Sequence, residues 1–182
     1  MDTFAELKEA GKKRFGEVGA WAFDEWKKLN KTIFTGENSV GPILWGLTPD
    51  NRSMGYYSGT ENLIYLHKTL VRPRYPKFTL KLDISDLNRK LAGDVLLHEM
   101  IHQRIHQTGG WVGETSHNNE RFVGEANRIA KLFGLNIIAK VIKSKNVEGK
   151  LRKVVKPGCL TYKELYEFPY SSRPDDFYHS KS

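Results

Sequence analysis

His98 and His102, with Glu99 beside the first, form a constellation in this 182-residue sequence whose residue types and spacing define a reaction. Positions four apart on an α-helix differ by about 40° in azimuth, so both imidazoles can reach one ion. Glu99 sits about 100° round from His98 and faces the open coordination position instead. Two neutral imidazoles suit Zn²⁺, and zinc brings the pKa of a water to about 7, where a neighbouring carboxylate can take its proton. That division of labour is hydrolysis, with the general base contributing ~10²–10⁴-fold. The pattern His-Glu-x-x-His arises by chance in under about 1% of chains of this length, so it outweighs every other short motif here.

The elements around it must hold those side chains. Apolar residues at Leu91, Val95, Leu96, Leu97, Met100, Ile101 and Ile105 predict a buried helix over 85–107, apolar nearly all round. A second helix is expected over 118–133, with Phe122, Val123, Ala126, Ile129, Ala130 and Phe133 on one face and Gly134 at its end. A catalytic zinc site takes three protein ligands and one water. Downstream, the residue types offer His106, Glu114, His117, Glu120 and Glu125. His106 lies about 80° from His98, which makes joint ligation with the other two awkward. His117 follows a Gly109-Gly110-Trp111-Val112-Gly113 loop, where the chain can turn back and deliver an imidazole; Glu120 or Glu125 would give a two-His, one-Glu site.

Upstream, two helices are expected at 3–15 and 18–31, the second with Ala22, Trp26 and Leu29 on one face. Short β-rich runs at 42–47, 53–57 and 62–67, separated by turn residues, suggest a small, mostly antiparallel meander. Residues 63–67 are candidates for an edge strand on which an extended peptide docks, with Tyr65 as a substrate-binding residue, or for a simple interior strand. Tyr56, Tyr57 or Tyr65 is a candidate oxyanion donor, although such tyrosines more often serve packing. Trp111 is a candidate substrate-facing residue in the glycine-rich loop, or a loop anchor on the core.

Composition sets the outer bounds. No apolar run approaches the roughly 20 residues that span a bilayer, and the first residues lack an apolar signal core. Cys159 is the only cysteine, which excludes an internal disulfide and a Cys-rich zinc knuckle and suggests a reducing compartment. The expected location is therefore cytoplasmic, or nucleoid or nuclear if the chain associates with DNA. Net charge is +8, and residues 140–156 hold seven Lys or Arg against Glu148 alone. This points to a polyanion contact, single- or double-stranded DNA, through Lys143, Lys145, Lys150, Arg152 and Lys153, or to a solvated basic face.

The run Leu97-His98-Glu99-Met100-Ile101-His102, followed by His117-Asn118-Asn119-Glu120-Arg121-Phe122 and Ala126-Asn127-Arg128-Ile129, resembles the SprT-like family, which includes the Spartan-type DNA–protein-crosslink proteases. Gly55-Tyr56-Tyr57 and Leu63-Ile64-Tyr65-Leu66 look like the family's two strands before the metal helix, so the resemblance covers roughly 20–135. It implies zinc ligands at His98, His102 and His117 with Glu99 as base. Two features depart from the family: Phe122 stands five rather than four residues after the third histidine, and one cysteine cannot build the C-terminal zinc ribbon of many members. The combined expectation is an α+β, zincin-like fold: N-terminal helices over 1–35, a metallopeptidase core over 36–156, and a tail over 157–182. The expected activity is zinc-dependent peptide hydrolysis on a protein or peptide substrate, DNA-bound or DNA-crosslinked proteins included. The alternatives are a nucleic-acid-binding module with a structural or vestigial metal site, and a zinc hydrolase of a non-peptide amide or ester.

Overall fold

A computed structural model describes residues 2–49, 53–71, 82–109, 120–132, 139–145 and 151–157. The fold is α+β. It has two compact units, 1–108 and 109–182. No helix among the described residues is long and apolar enough to cross a membrane.

The first unit opens with a helical hairpin. Helix α1 (Thr3–Phe15) starts at Asp2, whose carboxylate accepts from the Phe4 N–H, and ends at Gly16, whose φ of 65° breaks the helix. Helix α2 (Glu17–Ile33) returns against it. The two approach so closely at Gly11 and Gly19 that a Cβ on Gly19 would lie 2.2 Å from the Gly11 carbonyl oxygen, which is why both positions are glycine. Phe4 meets the rings of Phe23 and Trp26, while Lys8–Asp24 and Lys12–Glu17 pair at the surface. Val18, Ala22, Phe23, Trp26, Leu29 and Ile33 form the buried stripe of α2.

Strands β1 (Ile43–Gly46), β2 (Gly55–Ser58) and β3 (Leu63–His67) form one sheet in the order β1-β3-β2. This corrects the expected meander. β2 and β3 form an antiparallel hairpin, but β1 pairs with β3 in parallel, Ile43 opposite Ile64 and Trp45 opposite Leu66. The reason lies in burial. β3 has Leu63, Ile64 and Leu66 buried and takes the centre position, with a neighbour on each side, and β2 lies at the edge opposite β1. Pairing alternates along the pleat, so Ile43, Trp45, Gly55, Tyr57, Ile64 and Leu66 share one face and Leu44, Tyr56, Tyr65 and His67 share the other.

Helix α3 (Arg89–Gln107) begins at Asn88, whose side chain accepts from the Leu91 N–H; a 3-10 turn at Ile84–Asp86 precedes it, where the sequence suggests continuous helix from 85. Leu91, Ala92, Val95, Leu96, Met100, Ile101 and Ile105 are buried, and only Leu97 of the expected apolar set is half-exposed. The second unit contains α4 (Glu120–Leu132), with Phe122, Val123, Ala126, Ile129 and Ala130 buried as its periodicity requires. It also contains an antiparallel pair, β4 (Ala139–Lys145) and β5 (Leu151–Pro157). The basic, β-branched sequence over 135–156 is compatible with a strand pair or with continued helix, and its described residues form the strand pair.

Candidate functional site

The site grows from two parallel stripes on α3, each with a residue every fourth position. One carries His98, His102 and His106; the other carries Glu99, Gln103 and Gln107. The rings of His98 and His102 stand edge to face with centroids 5.0 Å apart, and both residues are half-exposed. Glu99 is buried, with 4% of its surface exposed.

Glu99 lies under the edge strand β2. A Cβ at Gly55 would be 2.6 Å from Glu99 Oε1, 2.9 Å from Glu99 Cγ and 2.6 Å from Val95 Cγ1. Only a residue without a side chain lets the carboxylate and Val95 approach the strand this closely. Two residues on, Tyr57 meets the helix again. Its hydroxyl lies 3.1 Å from His106 Nδ1 and donates to Asn62 Oδ1 at 3.2 Å. Burial pushes the Tyr57 phenol up to about 12, because the charged form loses its hydration. β2 therefore runs along α3, with Gly55 opposite Glu99 and Tyr57 opposite His106.

A buried polar network holds the second stripe. Gln103, fully buried, accepts from Trp26 Nε1 at 3.0 Å and donates to Asn62 Oδ1 at 2.9 Å. Gln107 donates to the same Asn62 oxygen at 2.9 Å and to the Ser39 carbonyl, and its own oxygen accepts from the Ser39 N–H at 2.7 Å. Asn62 ends the β2–β3 turn with a φ of 49°, a conformation that asparagine tolerates better than most residues. Asn38 Nδ2 reaches the Met100 carbonyl, and Arg104 pairs with Glu37. The helix bearing His98, Glu99 and His102 is thus tied to α2, to the 37–39 loop and to the hairpin turn.

No family model, curated protein or solved structure matches this chain.

Other residues singled out by the sequence fall in several places. β3 is the central strand, so it offers no free edge, and Tyr65 lies beside Tyr56 on the sheet face opposite Glu99. Of the two readings of residues 63–67, the interior strand is the one observed, and the edge-strand alternative is corrected: β2 holds the edge nearest Glu99. Tyr56 and Tyr65 point away from α3, and the Tyr57 hydroxyl is engaged by Asn62 and His106. Glu125 is held by both Arg128 Nε and a terminal guanidinium nitrogen, at 2.9 and 2.6 Å. His117, Trp111, Glu114 and Lys150 lie outside the described residues. Among the described residues, no three His, Cys, Asp or Glu side chains gather closely enough to hold a metal ion. In the second unit, the β4–β5 register sets Lys143 opposite Lys153, Lys140 opposite Lys156 and Ser144 opposite Arg152, with Lys145 opposite Leu151.

Gly55, Asn62 and Gln103 are the site residues that pattern reading missed. Gln103 carried a usable signal, an amide four residues after Glu99 on a helix otherwise apolar nearly all round. Gly55 carried a weaker one, a glycine inside a β-rich run.

Proposed function

We propose that the chain is a zinc-dependent peptidase of zincin-like, SprT-like architecture, in which His98 and His102 hold the metal with His117 as third ligand and Glu99 is the general base. The observation that carries the reading is the close approach of the two imidazoles on α3, with the buried Glu99 next to His98 on the same helix. Two rings bound through nitrogen to one tetrahedral ion, at bonds of about 2.0–2.1 Å, have centres about 5 Å apart, and the 5.0 Å separation of His98 and His102 fits. When bound, zinc would supply the Lewis acidity that ionises water near neutral pH. Glu99 would accept the proton released there and return it to the departing amine. Its burial keeps solvent from competing for that proton, and its backing by Gly55 restricts where the carboxylate can go. The outer edge of β2, which among the described residues pairs only with β3, is the place for an extended substrate backbone to add as a further strand.

Zinc content by elemental analysis and cleavage of casein or histone, with and without single-stranded DNA, test this reading. Glu99→Gln should keep zinc and lose ~10²–10⁴-fold in kcat, the contribution of a general base. Full cleavage by a zinc-loaded Glu99→Gln protein would refute the assignment. A second reading is favoured by charge: residues 140–156 supply six of the eight net positive charges. DNA binding through Lys143, Lys145, Lys150, Arg152 and Lys153 would bring protein substrates that are DNA-bound. If DNA affinity holds constant between about 50 and 200 mM salt, that contact is absent, since each phosphate neutralised steepens the salt dependence.

A further inference from the structure

We propose that Asn62, Gln103 and Trp26 are positioning residues that set the rotation of α3 about its own axis, and so aim Glu99 at β2. The proposal rests on the reading of Glu99 as the working carboxylate.

Apolar burial leaves that rotation undecided. Buried apolar residues surround α3: Leu91, Val95, Leu96, Met100, Ile101 and Ile105 lie on several sides of it. Turning such a helix by one residue, about 100°, exchanges one set of aliphatic side chains for another. Burial of this kind is non-directional and fixes depth better than azimuth. Gln103 is different. Its amide is completely buried, and its oxygen and nitrogen each have one partner, Trp26 Nε1 on α2 and Asn62 Oδ1 at the hairpin turn. These partners come from different elements, so both bonds form together at one azimuth only. Gln107 repeats the constraint one turn later through Asn62 and Ser39, and Tyr57 adds a third donor to the same Asn62 oxygen.

Glu99 sits on this stripe, one turn before Gln103. The azimuth that satisfies Gln103 is the azimuth that puts Glu99 under Gly55. Each buried polar atom left unpaired shifts a two-state balance by roughly 5-fold or more, and a wrong setting would unpair several. Asn62 is itself firmly seated. Its backbone packs on Gly41, where a Cβ would meet the Asn62 carbonyl oxygen at 1.7 Å, so the turn cannot drift.

The test uses the full-length chain with Cys159→Ser, Val95→Ala to make room for the new Cβ at position 55, and a reporter cysteine pair, Gly55→Cys with Glu99→Cys. Glu99 Cγ stands 2.9 Å from the Gly55 Cβ position, within disulfide reach, and a turn of about 100° removes it. Mild oxidation should close the 55–99 bridge readily in this background. Asn62→Gly, which tolerates the positive φ but lacks the acceptor, should slow closure by about 5-fold or more. The pair Trp26→Phe with Gln103→Met, which removes both polar partners at similar volume, should do the same, while Asn62→Asp, which keeps the accepting oxygen and gives up only the Nδ2 donation to the Ser39 carbonyl, should close faster than Asn62→Gly. Circular dichroism establishes that each variant is folded. Closure within about 2-fold of the starting background in both folded variants overturns the proposal. A parallel titration with zinc, on chains keeping Gly55 and Glu99, should show an affinity weaker by about 10–100-fold in the same variants. A starting chain that takes up no zinc would sink the proposed function while the disulfide rates still decide the positioning role.

Discussion

Gly55→Ala sets two physical effects against each other with opposite signs. Gly55 has no positive φ, so an L-residue is admissible there. Chain entropy alone then predicts that alanine stabilises, by about 0.4–1 kcal/mol. Contact predicts the reverse, because the new methyl carbon would start 2.6 Å from both Val95 Cγ1 and Glu99 Oε1. The Glu99 end could swing, but Val95 is short, 3% exposed and held on α3, so strand and helix must separate. Overpacking of this kind costs about 1–3 kcal/mol. The net expectation is a loss of up to about 2.5 kcal/mol, with Tm falling by about 2–4 °C per kcal/mol in a chain of this size. Gly46→Ala is the control, since its Cβ would meet nothing within 4 Å and it too has no positive φ. Urea denaturation of both variants and of Gly55→Ala/Val95→Ala completes the comparison. The double variant should fall short of additivity by at least about 0.5 kcal/mol, as touching pairs do. A Gly55→Ala protein as stable as Gly46→Ala would show that Glu99 does not pack under β2, and the aim of the carboxylate would need another explanation.

Three further outcomes are expected. Trp26→Phe should cost more than Trp45→Phe by about 1–3 kcal/mol in urea denaturation, because the first orphans the Gln103 oxygen, whereas Trp45 Nε1 is buried without a hydrogen-bond partner among the described residues; equal losses would refute this. The Tyr57 phenol, raised to about 12 by burial, makes stability complete below pH about 10, where the unfolded phenol is still neutral, and lost progressively as pH rises to about 12. Urea midpoints across that window should fall, and Tyr57→Phe should flatten the fall. Asn88→Ala should cost about 1 kcal/mol by thermal denaturation through the lost cap on the Leu91 N–H, whatever the activity of the chain.

The four helices could be read from the sequence because their apolar residues recur at helical spacing, weakly in α1, but the start of α3 could not: helix was expected from 85, where a 3-10 turn stands and Asn88 caps the helix that follows. Convergence of His98 and His102 was equally legible, since the four-residue spacing imposes it. Sheet order was not. Runs 43–46, 55–58 and 63–67 look alike in composition, and nothing local in them states that β1 pairs with β3 in parallel while β2 goes to the far edge. That choice goes with the burial of Leu63, Ile64 and Leu66 in the central strand, a tertiary effect. The same holds for Asn62 and Gly55, whose roles come from neighbours 41 and 44 residues away along the chain, Gln103 and Glu99.

The strand order has a further consequence for how the sheet comes together. β2 and β3 are joined by four residues, 59–62, so their pairing closes a short loop, whereas Gly46 and Leu63 are separated by a segment that contains all of β2. Closing a longer loop costs more chain entropy, although only slowly with length. The half of the sheet that backs Glu99 is therefore locally encoded, and the half that carries Trp45 depends on distant sequence. Insertions between 47 and 54 would lengthen only the second closure, leaving the wall behind the carboxylate intact.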